Sequence, residues 1–140
     1  MQTSGYSGTP LAKKLGIKEN FSIKIVNEPD HYFDLFTDLP KNLVTTAKAN
    51  IDFIHYFATK EATLIKDILS LKKQLAQDGM IWVSWYKKSA KMPTDITEDT
   101  IRNFALKNGL VDIKVCAVDE LWSGLKLVIP VKDRKKKQRG

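Results

Sequence analysis

The sequence predicts a single three-layer α/β domain with a mostly parallel sheet that ends in an antiparallel hairpin. Apolar strands alternate with amphipathic helices along most of the chain, an order typical of parallel sheets covered by helices on both faces. The last two strands are separated by a short turn only, which predicts a hairpin. The 140 residues fit one domain, and a hydrophobic fraction of 43% is ordinary for a globular core.

The first part of the chain predicts a short helix, a strand and a second helix. Thr9, Pro10 and Gly16 are the residue types that begin and end a helix, and Phe21 to Asn27 alternates as a strand does. Pro29 can open the second helix, which we expect to end at Leu39 and Pro40. The apolar residues of that helix are Tyr32, Phe33 and Phe36.

The middle of the chain predicts a buried strand followed by a helix. Residues 43–47 are either a short edge strand or no strand, because residues 48–50 leave no room for a crossover helix. Ile51 to Ala58 is dense in apolar residues, as a buried strand should be. Thr59 is expected to cap the helix, and Asp78 with Gly79 to form the turn that follows it. The apolar positions of the helix are Leu64, Ile65, Ile68, Leu69, Leu71 and Leu75.

The last third predicts a strand, a polar loop, a helix and the closing hairpin. Thr97 fits the N-cap of the helix, and Asn108 with Gly109 fits its end. Residues 119–124 are expected to join the two hairpin strands. The predicted strands of this third are Met80–Tyr86, Leu110–Val118 and Leu125–Val131.

Positive charge is concentrated at the C-terminal end. The formal net charge is +7, and residues 131–140 contain six basic residues and one acid, which leaves +2 for residues 1–130. We expect a domain over residues 1–130 and a basic, disordered tail over residues 131–140. This tail either keeps the protein soluble or binds RNA or DNA phosphates nonspecifically.

Composition also limits where the protein can be located in the cell and which reactive sites it can have. The one cysteine, Cys116, cannot form an internal disulfide, and no apolar run approaches the length of about 20 residues that spans a bilayer. The N-terminal residues are polar, unlike a signal peptide, so we expect a cytoplasmic protein without a membrane partner. There is no metal-ligand spacing, and structural roles are expected for Cys116, His31 and His55.

Candidate ligand-binding residues lie where the predicted strands end. In open α/β sheets, ligands bind beyond the carboxyl ends of the strands. Lys87 and Lys88 at such an end favour a small anion, but both also fit a solvated loop. Trp122, between the last two strands, either folds back on the sheet or forms a contact surface. The candidates are Asn27, Thr59, Lys87, Lys88, Asp119, Trp122 and Ser123.

Two further patterns have a structural alternative. Asp95, Glu98 and Asp99 form an acidic group, which the start of a helix explains. The segment from Ser4 to Gly8 has two glycines and several hydroxyl groups and could bind phosphate, although it does not follow a strand as a phosphate-binding loop does.

Residues 51–130 resemble the C-terminal half of the class I methyltransferase fold. The resemblance lies in the order of a strand, a leucine-rich helix, an Asp-Gly turn, a tryptophan-bearing strand, a helix and a closing hairpin. It implies a Rossmann-like, methyltransferase-like domain whose last strand is antiparallel. It also implies S-adenosylmethionine as the cofactor of an active member.

The first half departs from this resemblance. Such methyltransferases have a Gly-x-Gly loop after the first strand, where this chain has Asn27, Glu28 and Pro29. Proline also removes a backbone N–H that could serve a ligand. No acidic residue for the ribose hydroxyls stands near Thr46 to Lys48. The sequence therefore lacks two features that hold the cofactor in that fold, and it identifies no other cofactor.

Nearly the whole chain resembles a bacterial protein family of unknown function. The matching stretches are residues 4–16 (SGYSGTPLAKKLG), 78–88 (DGMIWVSWYKK), 93–99 (PTDITED) and 109–126 (GLVDIKVCAVDELWSGLK). This resemblance implies a fold and a family but no activity. We therefore expect a non-catalytic domain that binds a small anionic ligand or a protein partner. Two alternatives remain open: a methyltransferase with an altered cofactor loop, and a nucleic-acid-associated protein that uses its tail.

Overall fold

The computed structural model describes residues 9–135 as one α/β domain built on a five-stranded sheet. The strands are β1 (Ile23–Val26), β2 (Ile51–Phe57), β3 (Leu75–Tyr86), β4 (Val111–Ala117) and β5 (Trp122–Val128). The α-helices are α1 (Leu11–Leu15), α2 (Glu61–Gln74) and α3 (Glu98–Lys107). Short 3₁₀ helices span Tyr32–Leu35, Lys88–Ala90 and Val131–Asp133.

The sheet is mostly parallel and has the strand order β1-β2-β3-β5-β4. The first three strands pair in parallel, and β5 pairs antiparallel with both β3 and β4. Four strands therefore run in one direction, and β5 alone, inserted between β3 and β4, runs in the other. The predicted fold class, including the closing hairpin, is confirmed.

The two faces of the sheet carry two separate cores. On one, which we call the helix face, α2 and α3 bury aliphatic residues such as Leu64, Ile68 and Ile101 against the strands. On the other, which we call the aromatic face, α1 and residues 32–36 cover a cluster rich in aromatic side chains. The indole N–H of Trp82 donates to the carbonyl of Leu15 at 2.8 Å and ties α1 to the middle of this face.

The predicted helix after β1 is wrong in extent. Only the single 3₁₀ turn from Tyr32 to Leu35 forms, and the chain is extended again at Phe36. Of its three predicted apolar residues, Tyr32 is buried whereas Phe33 is 51% exposed. Asp38, farther along, accepts hydrogen bonds from the backbone N–H groups of Ala12 and Lys13. The segment thus caps α1 instead of continuing as a helix.

The uncertain segment at residues 43–47 forms one bridge rather than a strand. Val44 pairs with Ser22 in parallel at the outer edge of β1. The backbone then turns into β2 through Asn50, whose φ is +53°. The sheet therefore ends at β1, with a single residue pair beyond it.

Two predicted features around α2 are also wrong. Thr59 is not its cap, because α2 begins two residues later and the carboxylate of Asp95 accepts the N–H of Glu61 at 2.7 Å. Asp78 and Gly79 do not leave the helix in a turn but lie inside β3, at a shift in its pairing with β2. Gly79 is required by close approach, since a Cβ atom there would lie 2.8 Å from the carbonyl oxygen of Ile51.

The start of α3 is as predicted. Thr97 caps the helix and exchanges hydrogen bonds with Thr100, and the helix ends at Asn108 before Gly109, whose φ is +77°. The hairpin turn is shorter than expected. β5 begins at Trp122 rather than Leu125, so Trp122, Ser123 and Gly124 belong to the strand.

The ends of the chain are only partly described. Residues 131–135, which come after β5, are hydrogen-bonded to the domain. Arg134 Nε donates to the Ile129 carbonyl, and the N–H of Lys135 donates to the side-chain oxygen of Gln77. The rest of the predicted tail, and the segment from Ser4 to Gly8, lie outside the described residues, so the predictions for them remain predictions. No helix among residues 9–135 is long and apolar enough to cross a membrane.

Candidate functional site

The seven candidate residues lie along one edge of the sheet. Asn27 directly follows β1, Thr59 lies just beyond β2, and Lys87 directly follows β3. Because these strands are parallel, their carboxyl ends meet at the same edge. The antiparallel β5 begins there too, with Trp122 opposite Tyr86. We call this edge, with the loops that leave it, the carboxyl edge.

Over β1 and β2, the carboxyl edge is closed by contacts within the chain. Asn27 adopts a left-handed conformation (φ +61°), and its side-chain amide donates to the Phe57 carbonyl at 3.4 Å, which links the two strand ends. His31 Nε2 lies 3.3 Å from Asp119 Oδ2 and joins the loop after β1 to the hairpin turn. Two candidate residues, Asn27 and Asp119, therefore each serve as a structural link between elements.

Asp119 and Trp122 shape the hairpin turn. The other carboxylate oxygen of Asp119 accepts the N–H groups of Leu121 and Trp122, each at 2.8 Å. The Trp122 ring stacks on Tyr86 with centroids 4.0 Å apart and meets Phe57 edge-on at 4.9 Å. Of the two possibilities for Trp122, the structure has the one in which it folds back on the sheet.

Beneath this edge, three polar side chains form a buried hydrogen-bonded chain. Tyr32 Oη lies 2.9 Å from His55 Nδ1, and His55 Nε2 lies 2.7 Å from Ser84 Oγ. His55 and Ser84 are fully buried, and burial lowers the pKa of His55 from 6.5 to about 3. The imidazole is therefore neutral at pH 7. Because no solvent reaches it, this hydrogen-bonded group of three side chains stabilises the core and is not placed to contact a substrate.

The residues after β1 do not fit S-adenosylmethionine. Pro29 has no N–H, and the N–H of Tyr32 is already donated to the Pro29 carbonyl at 3.0 Å. The Tyr32 side chain packs edge-on against Phe57 and bonds to His55 below the ends of the strands. The amide of Asn27 is likewise occupied. One backbone donor of this loop is thus missing at Pro29 and another is used by the chain itself, where a glycine-rich loop would offer its N–H groups to the cofactor.

A groove of about 700 Å³ opens farther along the carboxyl edge, between the end of β3 and the start of α3. Trp85, Tyr86 and the 43% exposed Met92 give it apolar walls. Lys87 and Lys88 also line it, and they bring the positive charge that was expected at this edge. Thr59 and Ser123 do not line this groove: the Thr59 carbonyl accepts the hydroxyl of Thr94, and Ser123 pairs with Trp85 inside the sheet.

Arg102, which the sequence alone does not single out, binds the two acidic residues of the groove. Arg102 donates to Glu98 and, at 2.8 Å, to Asp99, one turn earlier in α3. Its Nε also donates to Asp112 of β4 at 2.9 Å. The spacing of Glu98 and Asp99 from Arg102, four and three residues, is the signal that could have revealed this network. Helix-start chemistry and Arg102 together account for this acidic group.

Other reactive groups are not organised as a site. Cys116 is half-buried, and burial raises the pKa of its thiol while Lys14 and Lys114 oppose that change. Within residues 9–135, no three His, Cys, Asp or Glu side chains are grouped closely enough to hold a metal ion.

The chain matches one protein family in sequence. The model of the family described as "Protein of unknown function (DUF3052)" matches residues 35–131, more than half of the chain. No curated protein matches the chain.

Solved structures with the same fold include methyltransferases. A SAM-dependent methyltransferase from Aquifex aeolicus has a TM-score of 0.58 at 14% identity, with 84% of this chain and 86% of that one covered. A putative type 11 methyltransferase from Sulfolobus solfataricus has a TM-score of 0.52 at 14% identity, with coverages of 85% and 87%. The fibrillarin pre-rRNA processing protein of Methanococcus jannaschii has a TM-score of 0.51 at 9% identity, with coverages of 80% and 67%. At these identities the likeness shows the fold alone.

Proposed function

Because the chain belongs to the DUF3052 family, whose function is unknown, we propose its function from its own site: it is a non-catalytic, methyltransferase-like domain that binds a small organic anion in the cytoplasm. The site is the groove between the end of β3 and the start of α3. The ligand has an apolar or aromatic part and a phosphate or carboxylate group.

The observation that carries the proposal is the pairing of apolar walls with two lysines in one groove. Its volume of about 700 Å³ is within the range of small-molecule sites. Trp85, Tyr86 and Met92 can cover the apolar part of a ligand, and Lys87 and Lys88 can bind its anionic group. Specific sites commonly combine an apolar lining with a few placed charges in this way.

Lys87 and Lys88 favour an anion at the β3 end of this groove. Glu98 and Asp99, at the α3 end, would repel it, and Arg102 offsets only part of that repulsion because it also binds Asp112. Lys87 and Lys88 make no ion pair within residues 9–135, so their ammonium groups can pair with an anionic ligand. S-adenosylmethionine carries a sulfonium and an ammonium group, and it would gain less here than an adenine nucleotide.

The closed edge over β1 and β2 supports a role without methyl transfer. There Asn27 bonds to Phe57, His31 to Asp119, and Tyr32 fills the space below. A transferase must hold its methyl donor next to an acceptor, and these contacts tie down the loop after β1, where the donor would lie. A methyltransferase with an altered cofactor loop remains the alternative that the fold suggests.

Thermal unfolding of the intact chain tests the proposal, with AMP, ATP, S-adenosylmethionine and S-adenosylhomocysteine as ligands. A ligand at 100 times its dissociation constant stabilises the folded state by about 2.7 kcal/mol, which raises the midpoint by several degrees. We expect the nucleotides to raise it, and the double variant Lys87→Gln/Lys88→Gln to lose that shift. Lys60→Gln/Lys66→Gln, which removes two exposed charges at α2, is the matched control.

Each result has one meaning. A shift with the two S-adenosyl compounds but not with the nucleotides would restore the methyltransferase alternative. A nucleotide shift that survives in the Lys87/Lys88 variant would place the ligand elsewhere. Unchanged midpoints with all four compounds would contradict a nucleotide-like ligand and favour a protein partner.

A further inference from the structure

Two lysines face each other across the β4–β5 hairpin. Lys114 and Lys126 are directly opposite partners in the register of the two strands. Like charges in directly opposite positions destabilise a sheet, so this pair opposes folding. Lys114 is exposed and Lys126 is half-buried beside Trp82, its partner on β3.

The end of α1 brings two more lysines to the same place. Lys14 Nζ donates to the Ala117 carbonyl at 3.0 Å, and Lys114 Nζ donates to the Lys14 carbonyl at 3.3 Å. Lys126 Nζ lies 4.0 Å from the position that a Cβ atom on Gly16 would occupy. Lys18 comes two residues after Gly16 in the sequence. We call these four side chains the lysine patch: Lys14, Lys18, Lys114 and Lys126.

Three lysines of the patch have no carboxylate partner among residues 9–135. Lys18, Lys114 and Lys126 have no carboxylate oxygen within 4.0 Å, unlike His31 and Arg102, which form ion pairs. Burial, together with the charges of Lys114 and Lys18, lowers the pKa of Lys126. A bound anion would relieve this repulsion and hold the protons on the ammonium groups.

We propose that the lysine patch binds the phosphodiester backbone of a nucleic acid. The patch lies on the surface at the outer hairpin and the end of α1, where an extended strand of phosphates has access. Lysine is a point charge on a flexible stem, which suits sequence-independent phosphate contacts. The proposal goes beyond the groove, which lies at the carboxyl edge and involves Lys87 and Lys88.

The patch is also separate from the basic residues after β5. Val128, at the end of β5, pairs with Val111, at the start of β4, so the chain leaves β5 at the amino edge of the parallel strands. Lys135 is held there by Gln77. Binding by the patch can therefore be distinguished from binding by the last basic residues, Lys136, Lys137 and Arg139, by changing each group separately.

The test uses full-length chain in which Lys136, Lys137 and Arg139 are changed to Gln. Fluorescence anisotropy is followed with a labelled DNA duplex and a labelled single-stranded RNA over a range of salt concentrations. We expect both to bind, with RNA and DNA as two sources of the same phosphate chemistry. Adding Lys18→Gln, Lys114→Gln and Lys126→Gln should weaken duplex binding roughly tenfold or more and reduce the slope of log K against log salt by about 0.9 per lysine.

The matched control adds Lys60→Gln, Lys66→Gln and Lys73→Gln instead, which removes the same charge from α2 on the helix face. It should keep most of the affinity. Thermal unfolding checks the fold, and the patch variant should unfold no earlier than its parent, because like-charge repulsion is removed. Equal loss in both triple variants would overturn the proposal. So would no binding by the parent, or complete competition by inorganic tripolyphosphate at equal phosphate concentration, which would indicate a compact phosphate site.

Discussion

The hydroxyl oxygen of Tyr32 lies 2.9 Å from Nδ1 of His55, and both side chains are at most 1% exposed. This bond joins the loop after β1 to the centre of β2. It also holds the carboxyl edge closed over β1 and β2, because the Tyr32 side chain that lies there is hydrogen-bonded to the neutral imidazole of His55.

Stability should therefore depend on pH through His55. Its folded-state pKa is about 3, below the ordinary 6.5, so between these values the unfolded chain binds a proton that the folded chain does not. The stabilisation is complete above about pH 6.5 and is lost as pH falls toward 3. Urea unfolding should show a loss of about 1 kcal/mol from pH 6 to pH 5. His55→Gln should flatten this dependence more than His31→Gln, and equal slopes in the two variants would contradict the assignment.

Removing the Tyr32 hydroxyl should destabilise the domain. Tyr32→Phe leaves His55 Nδ1 buried without a partner, which costs about 1–3 kcal/mol. Tyr56→Phe is the comparison, because the Tyr56 hydroxyl donates to Asp67 at 2.6 Å and the half-buried carboxylate can turn to water. Chemical denaturation of both variants measures the difference. A smaller loss for Tyr32→Phe than for Tyr56→Phe would show that the buried chain does not carry this stability.

Arg102 should affect both stability and the groove. Arg102→Gln removes charge-assisted hydrogen bonds that join one turn of α3 to the next and α3 to β4, so the variant should unfold at a lower denaturant concentration. It also leaves Glu98 and Asp99 without their cation beside the groove, so nucleotide binding should weaken. Isothermal titration with ATP checks the second effect, with Arg134→Gln as the control of equal charge. Unchanged affinity would mean that the groove's acids do not face the ligand.

Local signals predicted much of the fold. The Thr97 cap, the Asn108–Gly109 end and the apolar run of β2 lie in short stretches whose residue types decide the backbone. The placement of Asn27, Thr59 and Lys87 at one edge also followed from parallel strands. These features depend on a few neighbouring residues, and sequence shows such residues directly.

Features that depend on distant partners could not be predicted in the same way. Asp78–Gly79 has the composition of a turn, but the approach of Ile51 keeps it in a strand. Thr59 has the chemistry of a cap, yet Asp95, from another loop, provides it. Lys114 and Lys126 become neighbours only through the hairpin register. Long-range pairing therefore decided both the corrections to the fold and the pairing of these two lysines.

The position of β5 has a consequence for synthesis on the ribosome. β3 lies in the interior of the finished sheet, but its second partner is β5, the last strand within residues 9–135. Until residues 122–128 have left the exit tunnel, β3 has one edge unpaired, with the apolar Ile81, Val83 and Trp85 along it. An emerging chain with an open apolar strand is prone to pair with other chains. The nascent chain therefore exposes an unpaired strand edge throughout the synthesis of the segment between β3 and β5.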